Sequence, residues 1–258
     1  MKRLYLDCGM GAAGDMLAAA LYELLDDADK QKFLDTMNSI MPESVAVSVR
    51  PETKCGITGT HFDVVINGEE EHSVDYHEHD HTHDHEHAHD HAHRSMAEVE
   101  AIINGFGGIS EAVRSNIFEV YKLIAAAESA AHGVDVSEVH FHEVGMLDAI
   151  ADVTAVCLLM DMLAPDEVYA SPVRVGDGYV KCAHGILPVP APATANIIQG
   201  IPTYAGDIKA EMCTPTGAAL LKHFVREFGD QPEMAAEKTG HGMGTKDFEI
   251  CNCIRALY

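Results

Sequence analysis

Between residues 72 and 93 the chain reads HSVDYHEHDHTHDHEHAHDHAH, which gathers ten of its seventeen histidines into one stretch. The residues between the imidazoles are mostly Asp, Glu or Ala. Such a stretch buries too little apolar surface to offset the entropy of ordering it. It cannot enter a core, so the fold has to be built from the segments on either side. Residues 1–71 and 94–258 are therefore expected to form a single α/β domain, with room for two subdomains. Residues 72–93 are expected to be a flexible His-rich insertion within it. Imidazole suits nickel, copper, zinc and iron, and affinity for divalent ions rises toward the end of the first transition row. His77, His79, His81, His83, His85, His87, His89, His91 and His93 are thus candidate ligands of a metal-collecting loop. The plainer alternative is a solubilising linker, and the tract alone does not say which metal it collects.

The chain of 258 residues is 47% hydrophobic, enough for a sizeable core in the flanking segments. Forty-one acidic against seventeen basic residues give a formal charge of −24. That balance argues against nucleic acid or an anionic membrane as partner and favours attraction of cations. Seven scattered cysteines without a CxxC pair fit a reducing compartment rather than a disulfide framework. With no apolar signal core and no stretch long enough to span a bilayer, the expected location is cytoplasmic.

Arg3 to Asp7 reads as a strand running through the glycine turn CGMGAAG into a helix from Gly14 to Leu25, the opening of an α/β unit. Ser44–Arg50 and Thr60–Ile66 read as a strand pair joined by a longer loop. Ser110 offers an N-cap to a helix ending near Gly133, and Gly145 to Leu163 is apolar almost all round, as a buried helix is. Thr214 to Phe228 reads as a further helix, and the tail as two strands. The expected fold class is α/β, a mixed sheet with packed helices and one long disordered His-rich loop.

Three constellations suggest chemistry. In HFHEVGMLDAIAD, His140 and His142 are two apart and share a face, while Asp148 and Asp152 are four apart on one helix. With Glu143 they make a candidate metal and catalytic site; carboxylates on an apolar helix need partners, because burying them unpaired is costly. In DCGMGAAGDM, Gly9, Gly11 and Gly14 permit a tight turn whose helix amides can hold an anion, and Asp15, with Asp7, could instead face a cation. In EMCTPTGAALL, Thr214 is a natural N-cap followed by Pro215, with Thr216 facing an anion. Capping alone explains that motif equally well. Cys213, just before the cap, is expected to have a lowered pKa. Lys209, Lys238, Lys246 and Arg174 are candidates for phosphate groups, and His184 reads as a structural histidine.

Together LYLDCGMGAAGDM, the His-rich insertion, HFHEVGMLDAIAD, CAHGILPVPAPATANIIQGIPTY, EMCTPTGAALLKHF and KTGHGMGTKDF resemble the nickel insertion proteins of nickel-pincer cofactor biosynthesis, the LarC family. The likeness runs collinearly over nearly the whole chain. It implies a CTP-dependent cyclometallase of lyase type that inserts nickel into pyridinium-3,5-bisthiocarboxylic acid mononucleotide. It also implies Mg or Mn with CTP, held by a C-terminal CTP-binding domain that would be a partner of this chain. Under that reading His140, His142, Glu143 and Asp148 are catalytic, and Gly9, Gly11, Gly14, Asp15, Thr214 and Thr216 bind the nucleotide. Asp152 joins the metal ligands. The alternative is a non-catalytic nickel storage or delivery metallochaperone. Homo-oligomerisation is left open.

Overall fold

The computed structural model describes residues 1–70, 74–75, 94–141, 146–182 and 184–258, with the backbone alone at 69, 70, 74, 75 and 140. Strand β1 (Arg3–Asp7) leads through the glycine turn into α1 (Gly14–Glu23) and then α2 (Asp27–Ile40). A hairpin follows, β2 (Val45–Lys54) and β3 (Ile57–Ile66), with the short β4 (Glu69–Glu70) beside β3. The hairpin corrects the expected longer loop. Its strands extend to a two-residue turn at Cys55 and Gly56, whose φ values of 51° and 77° suit the twist of a tight antiparallel pair.

Around the His-rich stretch lie β5 (Val74–Asp75) and β6 (Arg94–Ser95), followed by α3 (Met96–Gly105), α4 (Glu111–His132) and β7 (His140–Phe141). Ser110 caps α4 by accepting from the Val113 amide, and Gly133 ends it with φ 68°, as the sequence suggests. The buried helix is α5 (Leu147–Leu163). Then come β8 (Glu167–Ala170), β9 (Val173–Arg174), β10 (Tyr179–Cys182), β11 (Gly185–Pro188), α6 (Pro192–Ile197), β12 (Thr203–Tyr204) and α7 (Pro215–Phe224). The chain closes with β13 (Glu227–Phe228), β14 (Thr239–Met243) and β15 (Cys253–Leu257). Helix α7 stops at Phe224, short of the expected Phe228, because Glu227–Phe228 pairs in parallel with β8.

The main sheet has the order β13-β8-β1-β15-β14-β3-β2, with β4 off β3. It is mixed: β13, β8 and β1 run parallel, β15 is antiparallel to both β1 and β14, and β14 runs parallel to β3. Helix α1 lies on the sheet so closely that a Cβ at Gly242 or Gly240 would fall about 2 Å from the carbonyls of Met16 and Ala20. Small residues at the crossing let the helix backbone settle on β14. Helices α4, α5 and α7 pack around α1, burying Leu17, Leu21, Ile117, Tyr121, Ile150 and Leu220 in one continuous core.

Two small pairings bracket the His-rich stretch. Before it, β5 pairs with β10 through Val74–Lys181 and Asp75–Val180. After it, β6 pairs with β7 through Arg94–Phe141 and Ser95–His140. No helix among the described residues is long and apolar enough to cross a membrane.

Candidate functional site

The glycine turn and the start of α7 are joined backbone to backbone. Ala12 donates to the Met212 carbonyl (2.9 Å) and receives the Thr214 amide on its own carbonyl (3.0 Å). Gly11 sits at φ +89°, and a Cβ there would lie 1.8 Å from the Met212 carbonyl oxygen. A Cβ at Gly217 would meet the Ala12 carbonyl at 2.2 Å. Both glycines are therefore required by packing between the two turns, and Gly11 needs no ligand to explain it. Thr214 caps α7 as expected, accepting from the Gly217 amide, and its hydroxyl lies 3.0 Å from that of Thr216.

At the other side of the turn, Gly14 presses against α5. A Cβ on Gly14 would fall 2.6 Å from an oxygen of Asp152. That approach sets the Asp152 carboxylate against the start of α1, beside Asp15. Burial, then the charges of Asp15 and Asp148, push the Asp152 carboxyl well above the ordinary carboxylate range. Burial raises Asp15 too, offset in part by His61 and reinforced by Asp63. Asp148, in the first turn of α5, shares a face with Asp152; together they raise the buried Tyr121 hydroxyl, whose largest perturbation is burial itself. Like charges and desolvation thus crowd one junction, an arrangement that an added cation relieves.

Strand β3 supplies a further pair. His61 and Asp63 point to one face and are both buried. His61 Nδ1 donates to the Met243 carbonyl at 2.9 Å, which leaves Nε2 unprotonated in the neutral ring and 3.6 Å from Asp63. Arg50 braces Asp63 from the neighbouring strand at 3.1 Å.

Several expectations are corrected. Cys213 does not have a lowered pKa: it is buried, and burial with the nearby Glu211 charge pushes it up to about 12, outweighing any helix field. Asp7 accepts from Arg255 on β15 and from the Gly9 amide, while Asp15 lies near His61 and Asp63. Arg174 pairs with Asp207 while its buried Nε has no hydrogen-bond partner, Lys209 pairs with Asp177, Lys238 with Asp26, and Lys246 reaches the Glu211 carbonyl. His142, Glu143 and His77 to His93 lie outside the described residues, as does the side chain of His140. Among the described residues, no three His, Cys, Asp or Glu side chains come together closely enough to hold a metal ion.

Comparison with known families adds a decisive observation. A family model described as "Nickel insertion protein" matches residues 4–258. The chain belongs to the nickel insertion protein family. Its relatives include the pyridinium-3,5-bisthiocarboxylic acid mononucleotide nickel insertion proteins of Clostridium kluyveri and of Desulfitobacterium hafniense strain DCB-2. The first is 41% identical over 99% of this chain and 61% of the relative; the second is 38% identical over 99% and 58%. A putative nickel insertion protein of Dictyoglomus thermophilum is 36% identical over 99% of this chain and 60% of its own length. The chain thus spans about three fifths of the curated relatives it matches. No solved structure matches.

In this member of the family, Asp15, Asp148 and Asp152 are legible in the sequence, but the approach of Asp152 to Gly14 is not. There His61 and Asp63 read only as strand residues. The signal for them was present: two polar residues two apart, flanking Phe62, inside a strand otherwise fit for burial.

Proposed function

We propose that this chain is the nickel-handling portion of a CTP-dependent cyclometallase acting on pyridinium-3,5-bisthiocarboxylic acid mononucleotide. Support comes first from the relatives named as nickel insertion proteins for that mononucleotide, which align with nearly the whole chain. The structural observation that carries the reading is the meeting of Asp15 and Asp152 across Gly14. Two carboxylates held against the ionised form gain by receiving a dication.

His140, His142, Glu143 and Asp152 are assigned to the incoming nickel, with Asp148 as their acidic support and Asp15 as the neighbour across the turn. The substrate phosphate is assigned to the α7 side of the junction, at Thr214 and Thr216, where Thr214 caps the helix. Gly9, Gly11 and Gly14 hold the two sides together. His77 to His93 serve as collector. Mg or Mn with CTP belongs to a C-terminal domain like that which the resemblance implies. Forming a nickel–carbon bond expels a proton from the ring carbon, and a carboxylate vacated of its own proton by the arriving dication can accept it.

The direct test is to incubate the chain with nickel and the dithio-acid mononucleotide, with and without CTP and a relative's C-terminal domain. Mass spectrometry should show the metallated product only when all are present. Absence of product with every component supplied, alongside product from a full-length relative, would sink the reading.

A further inference from the structure

Where the chain enters β15 it makes a turn of three residues. The Cys253 amide donates to the Cys251 carbonyl at 3.0 Å, a γ-turn centred on Asn252. Asn252 is buried and held twice: its Nδ2 donates to the Lys246 carbonyl at 2.9 Å, and its own carbonyl accepts from the Gly244 amide at 3.0 Å. The fit is tight, since a Cβ at Gly244 would fall 2.7 Å from that Nδ2. Anchoring the central residue fixes the two beside it. The sulfurs of Cys251 and Cys253 lie 3.7 Å apart, with both residues half-buried and no disulfide between them. Arg255, two residues further along the strand, is already tied to Asp7 through Nε at 3.1 Å. Its charge is balanced there, so an ion arriving at the sulfurs meets no bare cation from that side.

The spacing fits a chelate. With metal–thiolate bonds of about 2.3 Å, sulfurs 3.7 Å apart subtend roughly 107° at a shared ion, close to the tetrahedral angle. A linear two-coordinate ion would need them roughly 4.6 Å apart, twice the bond length. Soft thiolates in a tetrahedral set select zinc-type ions over hard cations such as magnesium. Among the described residues no further His, Cys, Asp or Glu joins the pair to make a three-residue cluster. A disulfide is the other fate open to neighbouring thiols. It requires the sulfurs to close to about 2.05 Å and an external oxidant to remove two electrons and two protons. A metal ion needs neither, because it displaces the two thiol protons to solvent.

We propose that Cys251 and Cys253 form a two-thiolate site for a tetrahedral, thiophilic dication of the zinc type, with water in the two remaining positions. Dication and thiolates together carry no net charge. The site uses none of the residues assigned to nickel or to the nucleotide, and it stands whether or not the chain inserts nickel.

The test uses the reduced full chain in degassed, thiol-free buffer, with Cd2+ as the probe. Cadmium bound to thiolate gives an ultraviolet charge-transfer band that imidazole ligands do not, so the His-rich tract takes up ions without contributing to the signal. With Cd2+ added in excess of the histidines, the parent should develop the band. Cys251→Ser and Cys253→Ser should each weaken the sulfur-bound phase about tenfold or more, no less than losing a supporting residue costs a metal site. The double variant should lose the band, and Cys55→Ser, which removes the exposed thiol, should leave it unchanged. Asn252→Ala keeps both sulfurs but unties the turn, and should weaken binding several-fold. A measurement on the unaltered chain guards against variants that fold poorly: excess Cd2+ should protect Cys251 and Cys253 from alkylation, read by peptide mass spectrometry, while Cys55 still reacts. A band of unchanged strength in the double variant, or equal alkylation of the pair with and without the ion, overturns the site. So does a parent whose pair oxidises to a disulfide in air but shows no band with Cd2+, which would make it a redox pair.

Discussion

Asp152 lies so close against Gly14 that a Cβ there would fall 2.6 Å from its carboxylate oxygen, which sets the second turn of α5 on the first turn of α1. Burial first, then the charges of neighbouring Asp15 and Asp148, raise that carboxyl well above the ordinary range. Asp152 therefore holds its proton to a higher pH than an ordinary aspartate.

That balance gives the first prediction. An aspartate free in the unfolded chain ionises near pH 3.9, whereas folded Asp152 keeps its proton to higher pH. The folded state thus binds the extra proton, and metal-free stability falls as pH rises from about 4 through the folded pKa. Asp152→Asn removes that dependence. In chelator-treated samples the variant should melt higher than the parent near pH 7, with the gap closing toward pH 4, yet lose nickel insertion. A lower melting temperature for the variant at pH 7 contradicts the assignment.

Gly11→Ala should damage the fold itself. The added Cβ meets the Met212 carbonyl at 1.8 Å in a left-handed conformation. Strain of that kind is worth about 1–3 kcal/mol before the clash is counted. Gly105→Ala, at the end of α3 with nothing within 4 Å of its Cβ, should be neutral or slightly stabilising. Urea midpoints of the two variants test the contrast, and equal midpoints refute it.

Thiol chemistry separates the cysteines. Cys55 is exposed, whereas Cys8, Cys157 and Cys213 are buried, and burial raises all three thiols, Cys213 to about 12. Since the thiolate is the nucleophile, iodoacetamide at pH 8 should label Cys55 within minutes and spare those three until denaturant is added. Early labelling of Cys213 in the native protein would show that its helix start is open.

Removing residues 77–93 should lower nickel stoichiometry by several ions per chain. Because the tract contributes little apolar surface, thermal stability without metal should stay within about 0.5 kcal/mol, the range of ordinary surface changes. Equilibrium dialysis and calorimetry measure the two effects, and a large loss of metal-free stability would make the tract structural.

Much of the architecture was legible from local patterns. Ser110 and Gly133 marked both ends of α4, and the apolar run after Gly145 marked α5, because caps and periodicity are properties of neighbouring residues. Helix α2 left little trace: only Phe33 and Met37 of its fourteen residues are buried. The site was harder for a related reason. Asp15 and Asp152 were each visible as carboxylates, but their meeting depends on Gly14 lying under α5. Juxtapositions made by long-range packing have no local periodicity to betray them.

The pairings of β5 with β10 and of β6 with β7 also set a length scale for metal capture. Between Asp75 and Arg94 run eighteen residues, each spanning at most about 3.3–3.6 Å. Every imidazole among them is therefore within roughly 30 Å of one anchor, Lys181 on β10 or the strand bearing His140. A group confined to a sphere of that radius has a local concentration on the order of 10 mM. Under the proposed function, ions caught along the tract would reach the fixed ligands by intramolecular exchange, at a rate set by the tether and independent of free nickel in the surrounding solution.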